Sequence, residues 1–262
     1  MPIVLYQVDA FTNKIFGGNP AAVCPLDVWL PDTIMQSIAA ENNLSETVFF
    51  VPNDQGFHIR WFTPIAEVDL CGHATLAAAY IIFEELLYQK EQIIFDSHSG
   101  TLKVKKTDQG LQMDFPAWDY ERIISHPSLE HILGETPSEI YKGKYWMAVF
   151  NNEHDVQNLK PNFKDLALLN DIDFLIVTSE SAKSGTDFIS RFFCPKYGID
   201  EDPVTGSSHC ILTPYWSQRL KSDTLIAKQA STRGGDIICE SANDRVLLTG
   251  ECALYLSGQI NI

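Results

Sequence analysis

The chain has 262 residues, 45% of them hydrophobic and 20% charged, enough for one large domain or two ordinary ones with sizeable cores. Its 34 acidic residues outnumber 19 basic ones and give a formal net charge of −15. Such a surface repels phosphate backbones and anionic lipid, and no Lys/Arg cluster offsets it, so nucleic-acid and membrane-surface roles are poor readings.

The opening stretch MPIVLYQVDAF has no basic flank and no small-residue cleavage site, so no signal peptide is expected. No run of about 18 apolar residues escapes interruption by charge, so no membrane span is expected either. Six cysteines (Cys24, Cys71, Cys194, Cys210, Cys239, Cys252) without a C-x-x-C pair point to reduced thiols and a cytoplasmic location.

Apolar alternation predicts strands at 3–10, 46–51, 57–63, 92–96, 101–105 and 111–115. FGGNPAAV, from Phe16, is glycine-rich but matches neither G-x-G-x-x-G nor a P-loop, so it implies no nucleotide. A helix is predicted from Pro31, with Ile34 and Ile38 at helical spacing. His58 alternates with Phe57 and Ile59 and is expected to point outward. A second helix is predicted from His73 to about Leu86. Between Ala74 and Phe83 it is apolar on every side except for Thr75 and the Tyr80 hydroxyl, so it must be enclosed, most simply by sheet.

The second half repeats the plan. RWFTP from Arg60 is answered by RFFCP from Arg191, 131 positions later. Each is followed by an acidic loop, a glycine and a helix pattern, with Gly72 and Gly206 134 apart. SGTLKV and RGGDII then place Gly100 and Gly234 134 apart again. Three landmarks in one order at a nearly constant offset indicate duplication of one α/β unit. The boundary is expected around Pro116–Ser128, giving lobes of 1–116 and 117–251. Pro214 predicts a kink or early end in the second lobe's helix.

The two helix starts carry the candidate chemistry. Unpaired main-chain N–H groups and the helix dipole favour a bound anion, here a carboxylate. His73 at such a place is expected to stay neutral, and Cys71 in the same field is expected to lean toward thiolate. The plain alternatives are a capping histidine and a small core cysteine, with Asp202 as a turn residue and Ser207 as an ordinary first-turn residue. Glu46 opens an apolar strand, where dehydration would raise its pKa and suit it to proton transfer; the alternative is a solvated strand end. His209 and Cys210 are adjacent but lack a second pair at metal-ligand spacing, so no metal is expected.

GGNPAAV, SETVFF, RWFTP with DLCGHAT, and EDPVTGSS together resemble the phenazine-biosynthesis PhzF-like family of the diaminopimelate epimerase superfamily, over essentially the whole chain. The resemblance implies an α/β (α+β) fold of two similar lobes, each a curved sheet around a central helix, with the active site in the interdomain cleft and 252–262 returning to the first lobe. It implies cofactor-independent isomerisation of a small carboxylic acid by proton transfer, and a homodimer. By position, Glu46 matches the family's general acid/base, and His73 and Asp202 match the groups that orient substrate and assist the proton. Gly72, Gly206 and Ser207 match the carboxylate-binding helix starts. Asn19 and Cys71 are further candidates.

The epimerase relatives use two opposed cysteines. Registering Gly72 on Gly206 puts Thr205 opposite Cys71, registering Ala74 there puts Pro203, and Cys210 lies a turn too deep. A symmetric two-thiol racemase is therefore disfavoured. A racemase pairing Cys71 with another base, and a binding protein without turnover, remain the alternatives. Cys71→Ala is expected to preserve turnover.

Overall fold

The computed structural model describes residues 2–262. The chain divides into two compact units, Met1–Asp114 with Thr249–Ile262, and Phe115–Leu248. No helix among the described residues is long and apolar enough to cross a membrane.

In the first unit the elements are β1 (Pro2–Ala10), β2 (Asn19–Pro25), α1 (Asp32–Asn42), β3 (Glu46–Pro52), β4 (Phe57–Phe62), β5 (Glu67–Val68), α2 (Gly72–Tyr80), β6 (Gln92–Ser97), β7 (Gly100–Thr107) and β8 (Gly110–Pro116). Strand β2 runs parallel to β3, and β3 is antiparallel to β4. Strand β4 pairs antiparallel with β5 and parallel with β6, which continues antiparallel into β7 and β8. The parallel steps need crossovers, and α1 and α2 supply them.

The second unit contains β9 (Tyr120–Ile123), α3 (Leu129–Leu133), β10 (Glu139–Gly143), β11 (Trp146–Val149), α4 (Glu153–Asn158), α5 (Phe163–Leu168), β12 (Leu175–Glu180), β13 (Phe188–Cys194), β14 (Ile199–Glu201), α6 (His209–Leu220), β15 (Thr224–Gln229), β16 (Gly235–Ala242) and β17 (Arg245–Gly250). Its pairings repeat those of the first unit: β11 parallel to β12, β12 antiparallel to β13, and β13 antiparallel to β14 but parallel to β15. The last strand, β18 (Cys252–Asn261), lies antiparallel to β1, as β9 lies antiparallel to β10.

Helix α2 is enclosed as its composition demands. Ala74, Leu76, Ala77, Ala78 and Ala79 are all fully buried, against β1, β2 and β3. Three successive alanines let the sheet close on the helix, and about 25 cal/mol per Å² of apolar surface removed from water drives the packing. The α-helix stops at Tyr80, and Ile81–Glu85 form a π turn, shorter in α-form than the stretch to Leu86 read from the sequence.

Two other expectations change. Helix α6 neither ends at Pro214 nor shortens there but runs on to Leu220. Pro214 lacks the N–H that would bond to the Cys210 carbonyl, and that carbonyl instead accepts the Trp118 N–H at 2.9 Å. A chain segment outside the helix satisfies the orphaned acceptor. His58 does not point freely outward but is half-buried, edge-on to Trp29 at 5.1 Å between ring centroids.

The duplicated arginines explain why RWFTP and RFFCP recur. Arg60 holds Glu67 through two hydrogen bonds, Nε to Oε1 at 2.7 Å and Nη2 to Oε2 at 2.6 Å. Arg191 holds Glu201 in the same way, both at 2.8 Å. Each forked pair pins the short strand that leads into a helix start.

Candidate active site

Glu46 is the first residue of β3, beside Ala21 of β2. Its Oε2 lies 3.0 Å from Nε2 of His73, with the two side chains only 17% and 7% exposed. At that distance the pair is in ionic contact, yet neither atom makes a directed hydrogen bond among the described residues. A buried acceptor and donor held in contact but off-line retain capacity for a third group.

The other side of the ring is closed. Nδ1 of His73 lies 3.2 Å from Nδ2 of Asn19 and 3.5 Å from Sγ of Cys71. Asn19 is fully buried, and its Oδ1 accepts the Ser45 hydroxyl at 3.2 Å. Gly18, at φ +58°, delivers Asn19 to this place, and a Cβ there would sit 2.1 Å from the Ala10 carbonyl oxygen. Glu46, His73, Cys71 and Asn19 thus come together within the first unit.

His73 is not held neutral by the helix start. Burial works against the imidazolium, but Cys71 and Glu46 against the ring outweigh it and raise its pKa well above the ordinary 6.5. Cys71 goes the opposite way from the thiolate expectation. Burial, with Glu46 adding to it, pushes the thiol up to about 11, more than His73 and the main chain pull it down. At neutral pH it is a thiol, and we expect slow alkylation that needs the protein to open, with Cys71→Ala retaining most turnover. Rapid alkylation that tracks inactivation would overturn this.

Donor atoms of Glu46, Cys71 and His73 lie within 4.8 Å of one another, a ligand-type set for a metal ion. The thiol sits against Nδ1 and the carboxylate against Nε2. The lone pairs of those nitrogens diverge, so an ion bound to one of them would not reach both partners where they now stand.

Helix α2 starts at Gly72 after an extended Cys71 and has no side-chain cap, leaving its first main-chain N–H groups without one. In the second unit, Thr205 is the matching extended residue before a 3-10 turn, Gly206–Ser208, that feeds α6. Cys71 therefore corresponds to Thr205, Gly72 to Gly206 and His73 to Ser207. Asp202 accepts a short hydrogen bond from the Thr205 hydroxyl. Gln229, fully buried, accepts the Thr205 N–H and donates to the Asp202 carbonyl, both at 2.8 Å. Ser207 Oγ is 3.0 Å from the Tyr145 hydroxyl, whose pKa burial raises.

Strand register extends the correspondence. Thr47 pairs with Phe62, and Leu175 pairs with Phe193, the matching residue of RFFCP. Glu46 therefore corresponds to Phe174, and through the β2–β3 and β11–β12 registers Asn19 corresponds to Gly143. Where the first unit holds an acid, a histidine and an amide, the second holds an aromatic ring, a serine and a glycine. The Glu46–His73 pair thus has no counterpart at the matching positions of the second unit, whose carboxylate beside the helix start is Asp202. Cys210 offers no second thiol, being fully buried and pushed up to about 12 by desolvation.

Behind the second helix start, burial lowers the pKa of His209 to about 4, against the hydrogen bonding of its ring to the main chain, where the Thr205 carbonyl accepts from Nδ1. The unfolded chain, near 6.5, takes a proton that the fold refuses. The stability this group contributes is complete above pH 6.5 and lost as pH falls toward 4. His209→Gln should lose less stability than the wild type between pH 7 and about pH 4.5 in urea titrations. An unchanged loss would sink the assignment.

The sequence named Glu46, His73, Cys71, Asn19, Asp202, Gly206 and Ser207 but not their supports, Ser45, Gln229 and Tyr145. Ser45 acts through a hydrogen bond to Asn19 and Gln229 through bonds to Thr205 and Asp202, and neither carries a sequence pattern.

A model of the phenazine biosynthesis-like (PhzC-PhzF) proteins matches residues 8–258. An uncharacterized isomerase of Pseudomonas aeruginosa is 45% identical over all of both chains. A PhzF-family protein of Enterococcus faecalis superposes with a TM-score of 0.97, 44% identical over the whole of both chains. A hydroxyproline epimerase of Agrobacterium vitis shares the fold alone, with a TM-score of 0.63 and 10% identity, over 99% of this chain and 92% of that one. Matched along nearly its whole length by the family model and by relatives of equal span, the chain belongs to the phenazine biosynthesis-like, PhzF family.

Proposed function

We propose that the protein is an isomerase that moves a proton on a small carboxylic acid, with Glu46 as the general acid/base. The observation that carries this reading is the Glu46–His73 contact of 3.0 Å, in which both atoms are buried and neither is committed to a directed hydrogen bond. In the resting state His73 Nε2 faces the Glu46 carboxylate and stabilises its charge. A substrate C–H placed against Glu46 gives up its proton to Oε2, and the negative charge spreads into the adjacent carboxylate or unsaturated system. Glu46 then returns the proton at a second carbon on the same face. The uncapped main-chain donors at Gly72 and His73 suit the substrate carboxylate.

Asp202, Gly206 and Ser207 offer donors and a carboxylate of the same type in the second unit. Asp202→Ala and Ser207→Ala test their share, with weaker binding and slower turnover together expected of groups that position substrate. The isomerase names of the relatives agree in reaction class. A racemase working through Cys71 is the weaker reading, because the thiol is held protonated and its counterpart is Thr205.

The deciding experiment incubates the enzyme with a panel of small carboxylic acids in D₂O and follows them by NMR. Deuterium gain with a shifted double bond supports the isomerase. Gain with inversion at one carbon supports the racemase. No exchange across the panel leaves a binding protein.

A further inference from the structure

His73 has two ring nitrogens, and its surroundings treat them differently. Nε2 meets a carboxylate, which only accepts. Nδ1 meets the Asn19 amide nitrogen, which only donates, at 3.2 Å. The amide cannot choose freely which end it presents, because the Ser45 hydroxyl donates to its oxygen at 3.2 Å. Nor can Asn19 withdraw. It is fully buried at the head of β2, and the backbone before it is fixed by a glycine with no room for a side chain. The Cys71 thiol, 3.5 Å from the same nitrogen, offers a second hydrogen.

A proton on Nδ1 would set two N–H donors head to head in a site closed to solvent. We propose that Asn19, oriented by Ser45, is a positioning residue that keeps the neutral ring of His73 protonated at Nε2 and bare at Nδ1. The imidazole N–H is thereby kept on the side of the ring that contacts Glu46, 3.0 Å from Oε2. The charged and titratable groups facing the ring are Glu46, from β3, and Cys71, from the residue before α2. Glu46 favours a proton on Nε2, and the Asn19 amide acts at the other nitrogen, where the thiol, able to donate or accept, does not discriminate. The role in catalysis rests on Glu46 and His73 acting as proposed above, whereas the tautomer does not depend on turnover.

The same arrangement says what happens when the ring gains a second proton. Nδ1–H then needs an acceptor, and a half-turn of the Asn19 amide presents Oδ1, with the Ser45 hydroxyl switching from donor to acceptor. Proton gain at His73 is therefore tied to amide reorientation. The corresponding residue of the second unit, Gly143, has no side chain with which to do this.

The test is ¹⁵N NMR of the ¹⁵N-histidine-labelled full chain, at a pH above the His73 titration, with His73→Gln identifying its signals among the seven histidines. In the wild type Nδ1 should show a bare, pyridine-type shift and Nε2 a protonated, pyrrole-type one. Asn19→Asp, nearly isosteric, puts an acceptor opposite Nδ1. Both nitrogens should then appear protonated at a pH where the wild-type ring is neutral, with the titration moved upward. Ser45→Ala, at a half-buried hydroxyl, should keep the fold and release the amide, giving a mixture of the two tautomers. A wild-type proton on Nδ1, or a His73 spectrum unchanged in both variants, would overturn the assignment. Exchange in D₂O by the wild type separately decides the proposed reaction, so the two ideas fail in different experiments.

Discussion

Glu46→Gln should reduce turnover by about 10²–10⁴-fold while leaving the fold and carboxylate binding nearly intact. The amide keeps the shape of the side chain and can still contact His73 Nε2, 3.0 Å away in the wild type. It cannot take a proton from carbon at neutral pH. The corresponding position in the other copy holds Phe174, and among the described residues Glu46 is the carboxylate in contact with His73. Cys71 is the nearest substitute, but burial keeps it a thiol. The measurement is solvent-proton exchange on whichever acid the panel identifies, with binding followed separately by calorimetry. Near-normal exchange by the Gln variant would remove Glu46 from the mechanism.

The second large effect concerns stability. Arg191→Ala should cost about 3–5 kcal/mol, because it strands a mostly buried carboxylate. Arg191 is 9% exposed and holds Glu201 by a forked pair. Its Nη1 also donates to the Val156 and Leu159 carbonyls, at 3.1 and 2.9 Å. Those carbonyls close the end of α4, which lacks a basic residue in its last turn. Truncation therefore orphans four acceptors. Arg60→Ala should cost less, since that guanidinium makes the same fork to Glu67 but spends its remaining bond on Asp32, whose side chain is 75% exposed. Urea midpoints at unchanged slope measure both. Equal losses would refute the argument that the two carbonyls set them apart.

These arginines also mark how far the sequence could be read. RWFTP and RFFCP revealed the duplication because a forked salt bridge needs the same residue at the same strand position in each copy. Its acidic partner stayed hidden, seven residues away in one copy and ten in the other. Helix α2 was legible for a similar reason: a stretch with no polar face has one stable environment. Pro214 misled because a proline rule considers only the helix, whereas the orphaned carbonyl found its donor in Trp118, nearly a hundred residues upstream.

The ionisation of Cys71 and His73 was misjudged through the same kind of omission. A helix dipole can be inferred from chain order, and it argues for thiolate and neutral imidazole. Burial of the thiol and the approach of Glu46 depend on residues distant in sequence, and with them the pKa of the thiol is raised and that of the imidazole is raised as well. Asn19 was visible only as one letter of a glycine-rich motif. Its purpose depends on where its amide nitrogen ends up, and that required the ring of a residue 54 positions later.

The pairing of β18 with β1 has a consequence for how the protein is made. Residues 2–10 leave the ribosome before the rest of their unit, yet their neighbour at 252–261 follows only after the whole second unit. The second unit is continuous in sequence and has all of its strands in hand before that partner exists. At bacterial-like elongation rates of about 5–20 residues per second, the first unit waits on the order of ten seconds with an uncovered strand edge. Birth order and completion order are thus reversed, and a nascent chain arrested before Cys252 should protect the later-made half from protease while its earlier-made half remains open to cleavage.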